Sequence, residues 1–203
     1  MKHVLGLVLL LLLCSGVSAV NFRIAGGLDV AGETATYMNA LAIGAADNMG
    51  LTFSAQALNN VKDFSYGVGV DYQSTRDNKK LPGGWSSNLD EHSFVPVYGI
   101  FTYNIPTISK FSHELITQLG YNFSNIEFPN SDQESRYSAD DGLFYGLGVG
   151  VSYEQLSLQV LYRVNSFKFV SKEYYGNTLH STEKYDANIR QFNISLGYRF
   201  GKN

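Results

Sequence analysis

Between residues 64 and 73 the chain alternates without a break. Phe64, Tyr66, Val68, Val70 and Tyr72 occupy one set of positions, and Ser65, Gly67, Gly69, Asp71 and Gln73 the other. A period of two places each set on one side of a β-sheet. The pattern returns at 145–153, where Tyr145, Leu147, Val149, Val151 and Tyr153 alternate with Gly146, Gly148, Gly150 and Ser152. It returns again at 191–200, where Phe192, Ile194, Leu196, Tyr198 and Phe200 alternate with Gln191, Asn193, Ser195, Gly197 and Arg199. Composition points the same way, with 20 Gly, 14 Tyr and 13 Phe against 4 Pro in 203 residues. Such a balance belongs to an all-β chain.

The first residues stand apart from this pattern. Lys2 and His3 begin a basic start, 4–13 is an apolar run broken only by Gly6, and Val17-Ser18-Ala19 is a small-residue cleavage site. Residues 1–19 therefore read as a secretory signal peptide, leaving 20–203 as one mature domain. The apolar run is shorter than the about 20 residues that span a bilayer as a helix. A lipoprotein signal acylated at Cys14 is the competing reading, and it fits less well because Leu13 precedes the cysteine where Gly or Ala is usual. Cys14 is the chain's 1 cysteine, so no intrachain disulfide framework or zinc ribbon is expected. A formal charge of −3 argues against a nucleic-acid partner, which calls for a basic stripe. No later stretch reaches the about 18 consecutive apolar residues of a transmembrane helix.

The mature chain divides into eight strand-like segments, near 21–31, 50–58, 64–74, 93–104, 112–124, 143–153, 156–167 and 188–200. Their connections alternate in length: 59–63, 105–111 and 154–155 are short, while 32–49, 75–92, 125–142 and 168–187 are long. Even strand number with short turns at one end and long loops at the other predicts an antiparallel up-and-down barrel.

Two exported barrels have this outline. A soluble lipocalin-like barrel has an apolar interior and a polar exterior. A transmembrane barrel reverses this, with an outer apolar band edged by aromatics and a polar lumen. The polar faces here are mostly Gly, Ser, Asn, Gln and Thr, and the lysines after residue 19 (Lys62, Lys79, Lys80, Lys110, Lys168, Lys172, Lys184 and Lys202) all fall in predicted turns, loops or the tail. The apolar faces end in aromatics, as at Phe64/Tyr72, Tyr145/Tyr153 and Phe192/Phe200. These are the positions of membrane-interface girdles. The reading is an eight-stranded transmembrane β-barrel, with the soluble periplasmic barrel as the alternative.

The last segment, Asn193-Ile194-Ser195-Leu196-Gly197-Tyr198-Arg199-Phe200, together with this architecture, resembles the small eight-stranded outer-membrane barrels of the OmpA/OmpX-like group, which includes opacity-type surface proteins. The resemblance implies a bacterial outer-membrane location. It also implies that Tyr198 and Phe200 serve as a C-terminal signal for the barrel-assembly machinery. Two departures are visible: Gly201-Lys202-Asn203 follow the final aromatic, and Ser195 stands where Gly is common.

Arg23, Asp29, Asp71, Glu114, Arg163 and Arg199 fall on predicted inward faces. Charges withdrawn from water need partners. Two ion-pair clusters are predicted, Arg23–Glu114–Arg199 near the short turns and Asp29–Asp71–Arg163 nearer the long loops, bridged by Gln, Asn and Ser. A proton or ion path, and hence a narrow pore, is the functional alternative to a filled lumen. A lipid-modifying enzyme is a further one: Phe111-Ser112-His113-Glu114 brings a hydroxyl, an imidazole and a carboxylate together in sequence. Neighbours on a strand point to opposite faces, however, so these three cannot converge. No catalytic, metal or cofactor site is expected. The long loops are better placed for contact, and Trp85, Tyr174 and Tyr175 are candidates for binding a host or other surface ligand, the alternative being that these rings rest on the upper membrane interface. The remaining partners expected are outer-membrane lipid and the assembly machinery, with the protein as a monomer.

Overall fold

The structure is a computed structural model and describes residues 20–36, 45–46, 49–77, 91–108, 110–127, 135–175 and 178–201. Its elements are β1 (Val20–Thr36), β2 (Ala45–Ala46), β3 (Gly50–Val61), β4 (Phe64–Asp77), β5 (Glu91–Ile105), β6 (Phe111–Glu127), β7 (Ser135–Asp140), β8 (Gly142–Tyr153), β9 (Leu156–Tyr175) and β10 (Thr178–Phe200). All pairings are antiparallel. Strands run β10-β1-β3-β4-β5-β6-β8-β9, and β9 pairs back onto β10, so the sheet closes into an eight-stranded barrel. The two short strands are continuations: β2 follows β3 along β1, and β7 follows β8 along β9, each offset by one residue. Residues 1–19, expected from the sequence to be a signal peptide, lie outside the described residues.

Burial alternates along each stave, and it is reversed relative to a soluble protein. Arg23, Asp29, Asp71, Glu114 and Arg163 are buried inside, while Phe22, Ile24, Phe53, Leu119, Leu147 and Leu196 are exposed outside. Aromatic rings edge the outer band in pairs. At the short-turn end Phe64 meets Phe101 at 5.4 Å and Phe111 meets Tyr153 at 5.2 Å. At the other end Tyr121 meets Phe123 and Tyr162 meets Phe192, both at 5.3 Å. A soluble lipocalin-like barrel requires the opposite polarity, and that alternative is set aside on this ground.

Closing only eight strands makes a lumen about as wide as its own side chains. Glycine is therefore required where a neighbouring strand comes close. A Cβ on Gly148 would lie 2.1 Å from the Val160 carbonyl oxygen, a backbone atom that cannot swing aside.

Two sequence expectations change. First, the long connections are partly strand: within the expected loop 125–142, Ser135–Asp140 forms β7. The segment 168–187 is not a loop: β9 and β10 stay paired from Leu156–Tyr198 to Tyr175–Thr178. β7 joins β9 along the same stretch, from Asp140–Lys168 to Ser135–Glu173. Lys168, Lys172 and Lys184 thus lie on strands, in a three-stranded extension beyond the apolar band. The segment shows little hydrophobic alternation because it leaves the band; backbone pairing holds it as a sheet, helped by buried Val170 and by the Phe169 and Tyr185 rings, 6.4 Å apart. Second, the lumen is not polar throughout. Ile116, Leu161, Phe144 and Phe94 point inward and are buried.

Gly148→Ala is expected to lower unfolding stability by about 1–3 kcal/mol through overpacking. Gly26→Ala, which adds a Cβ with nothing within 4 Å, should change it by less than about 0.5 kcal/mol. Urea titration of the protein refolded into vesicles measures both.

Candidate functional site

The charged lumen is built by strands on opposite walls. Arg23 of β1 and Arg199 of β10 are direct cross-strand partners at the seam that closes the ring. Two like charges face to face are unfavourable. Glu114 answers them from β6, which stands four staves from β1 in ring order. One of its oxygens lies 3.5 Å from Arg23 Nη1, and the other is bonded to Arg199 Nη2. Ser152 Oγ donates to the same carboxylate at 2.6 Å. Arg23 Nε donates to Gln56 Oε1 at 2.8 Å. With its amide carbonyl turned inward, Gln159 accepts from Arg23 Nη1 and Nη2 at 2.5 and 3.0 Å. A polar recess of about 610 Å³ opens beneath this cluster, lined by Asn60, Asn104, Lys110, Ser152, Glu154 and Arg199 among others.

Deeper in the lumen Arg163 Nη2 lies 3.1 Å from Asp71 Oδ2, both fully buried. Asp29 takes a different set of partners from the predicted trio. It accepts from Thr52 Oγ1 at 2.5 Å and from Asn193 Nδ2 at 2.8 Å. The reason is register: Asp29 sits opposite Asn193 on β10 and Gly50 on β3.

The link between the two levels is a residue the sequence reading did not select. Tyr98 of β5 donates its hydroxyl proton to Asp71 Oδ1 at 2.6 Å and accepts from Gln56 Nε2 at 2.9 Å. A continuous path of contacts runs from Arg199 through Glu114, Arg23, Gln56 and Tyr98 to Asp71 and Arg163. Only the clean break in alternation at 94–101, where Phe94, Tyr98 and Ile100 share the inward face, hinted that β5 differs from its neighbours.

The remaining candidates divide. Tyr198 and Phe200 face outward beside each other, ring centroids 4.8 Å apart. Tyr174 and Tyr175 belong to the end of β9 instead of a loop, and Tyr175 is 70% exposed. Trp85 lies outside the described residues. Ser112 and Glu114 turn inward while His113 is exposed outside, so the three do not converge. Among the described residues no group of three or more His, Cys, Asp or Glu is placed to hold a metal.

An inside-out, eight-stranded antiparallel barrel is the fold of the small bacterial outer-membrane barrels. Solved structures bear this out at low identity. The outer-membrane protein AlkL, solved in DMPC bilayers, superposes with a TM-score of 0.56 at 14% identity, covering 93% of this chain and 93% of that one. OprG of Pseudomonas aeruginosa gives 0.53 at 18% identity, covering 92% and 99%. Ail, the attachment invasion locus protein of Yersinia pestis, solved with the heparin analogue sucrose octasulfate, gives 0.53 at 15%, covering 90% and 100%. No family model and no curated protein matches the sequence.

Removing one partner from a buried ion cluster leaves the others uncompensated. Glu114→Ala is expected to cost about 3–5 kcal/mol of unfolding free energy. Asp140→Ala, which breaks an exposed pair with Lys184, should cost at most about 1 kcal/mol. Parallel urea titrations compare them.

Proposed function

We propose that the protein is a non-catalytic, non-conducting barrel anchored in the bacterial outer membrane, whose task is to present the β9–β10 extension at the cell surface for adhesive contact. The outward apolar band and its aromatic edges support the membrane placement. With the short turns facing the periplasm, the extension faces outward. Tyr198 and Phe200, on the outer face of the last strand, are the contact offered to the assembly machinery.

The carrying observation is the construction of the extension. Residues 168–175 of β9 rise beyond the band, 168–173 paired on both sides, to β10 and to β7, and 174–175 paired to β10. At about 3.3 Å per residue they add roughly 25 Å of ordered sheet along the strand. The tip displays Tyr175, Leu179 and His180, with the Tyr175 and His180 rings edge to face at 5.0 Å. Large side chains held on paired strands lose little entropy on binding, which suits recognition. Lys168, Lys172, Lys184 and Arg190 are offset by Glu173, Glu183 and Asp186 on the same hairpin. That balance favours a protein partner with an apolar surface over a polyanion of the kind bound by Ail.

A Tyr175→Ser/Leu179→Ser variant displayed on cells is expected to reduce adherence to a host-cell layer by about fivefold or more, equivalent to about 1 kcal/mol. Heat-modifiable migration on a gel should be unchanged. Adherence that survives deletion of 172–183 overturns the adhesive reading.

A further inference from the structure

The inward residues of β9 are, in order, Ser157, Gln159, Leu161, Arg163, Asn165 and Phe167. Two polar positions, one apolar, two polar and one apolar succeed each other along the lumen. The same order appears on β6, where Glu114, Ile116 and Gln118 follow in turn. The lower apolar layer joins Leu58, Tyr98, Ile100, Ile116, Phe144 and Leu161, from β3, β5, β6, β8 and β9, so it crosses from one wall to the other. The upper layer joins Phe94, Phe167, Ala187 and Ile189.

Along β9, Arg163 and Asn165 stand between these layers, and they belong to a compartment, as we read it, of buried polar side chains whose hydrogen-bonding groups outnumber their protein partners. Both amide atoms of Gln118 and of Asn122 have no hydrogen-bond partner, nor do Nε and Nη1 of Arg163. The same holds for the side-chain oxygens of Asn165, Gln191 and Asn193. All six side chains are at least 99% buried. In the lower ion cluster of Arg23, Glu114 and Arg199, Arg199 Nε is the one buried side-chain atom without a hydrogen-bond partner. Buried donors and acceptors left unpaired cost about 1–3 kcal/mol each, and natural interiors rarely leave them so. Donors and acceptors are mixed here, and the charged groups near them, Asp71 and Arg163, already pair with each other. A single ion of either sign would satisfy only half of such a lining. Water, which donates and accepts, satisfies both halves.

We infer that this compartment is an internal water site, and that the Tyr98 ring is its seal toward the periplasmic mouth. The ring lies flat across Gly69, its direct cross-strand partner. A Cβ at Gly69 would meet ring atoms at 2.6 Å. On its other side the ring packs against Phe144, centroids 5.2 Å apart. The hydroxyl meanwhile carries the hydrogen bonds that join the two ion clusters. Tyr98 therefore has two separable parts, a ring that blocks and a hydroxyl that links. The inference rests on the reading of the chain as a membrane barrel with a non-conducting lumen.

The test is NMR of the full mature barrel in lipid nanodiscs, reading magnetisation transfer from water to the side-chain amide protons of Gln118 and Asn122, and their exchange into D₂O. Wild type is expected to show water contact at both amides and slow exchange. Tyr98→Ala should speed exchange at least tenfold, whereas Tyr98→Phe, which keeps the ring, should leave it slow. Gly69→Ala, which displaces the ring without truncating it, provides a second opening should Tyr98→Ala not fold, and should also speed exchange. Absence of water contact at both amides overturns the water site. Exchange equally fast in Tyr98→Phe and Tyr98→Ala, or unchanged in folded Tyr98→Ala and Gly69→Ala, overturns the seal. Heat-modifiable migration of each sample tests the barrel reading separately, since its loss in wild type would remove the membrane barrel itself.

Discussion

One carboxylate from the far wall holds the seam of this barrel. Arg23 and Arg199 face each other on the first and last staves, and Glu114 reaches across the lumen to both. The consequence is more than neutralisation. A strand has no intrinsic way to know its register, and a slip of one residue turns every side chain to the other face. Here such a slip would drive a guanidinium into the apolar exterior. A slip of two would keep the faces right but carry Arg199 out of reach of Glu114. The triad thus distinguishes the observed closure from both of its nearest competitors. Closure in turn satisfies the backbone groups of β1 and β10, which lipid could not hydrogen-bond.

The narrow ring that results explains the glycine faces. Gly69 pairs with Tyr98, Gly146 with Gln118 and Arg163, and Gly150 with Glu114 and Gln159. Each of these long inward side chains lies over a glycine on an adjacent strand. The glycines of β4 and β8 are therefore the reciprocal of the large residues on β5, β6 and β9. Neither set makes sense alone: filling the glycines would expel the side chains that plug the lumen, and shortening the side chains would leave unfilled space.

Strand number, meander order, the direction of each face and the inward placement of six charged residues could be read from alternation, because the apolar band imposes a period of two wherever it is crossed. Alternation failed in two places for opposite physical reasons. In β5 both faces are apolar, since Phe94, Tyr98 and Ile100 build lumen layers while Val95 and Phe101 face outward. In the extension neither face is strongly apolar, so 168–187 looks like loop although it is paired to its tip. The pairing of Asp29 with Thr52 and Asn193 depends on register across three strands, which a single sequence does not specify. Tyr98 escaped notice for a related reason. Its role depends on Gln56 and Asp71, which lie 42 and 27 residues away in sequence.

The layered lumen reconciles two demands that conflict within any single layer. Ion pairs and amide networks specify register, because only one alignment satisfies them, but their polarity invites water along the axis. Apolar layers exclude water, yet they tolerate slippage, since leucine packs nearly as well one position over. Stacking them in alternation lets the Arg23–Glu114–Arg199 cluster set the alignment while Ile116, Leu161 and Phe144 interrupt the wet path above it. The upper layer of Phe94, Phe167 and Ile189 repeats the interruption at the base of the surface extension. A barrel organised in this way can be strictly registered and closed to ions at once. Those are the properties that the proposed role of an anchor displaying a rigid sheet would require.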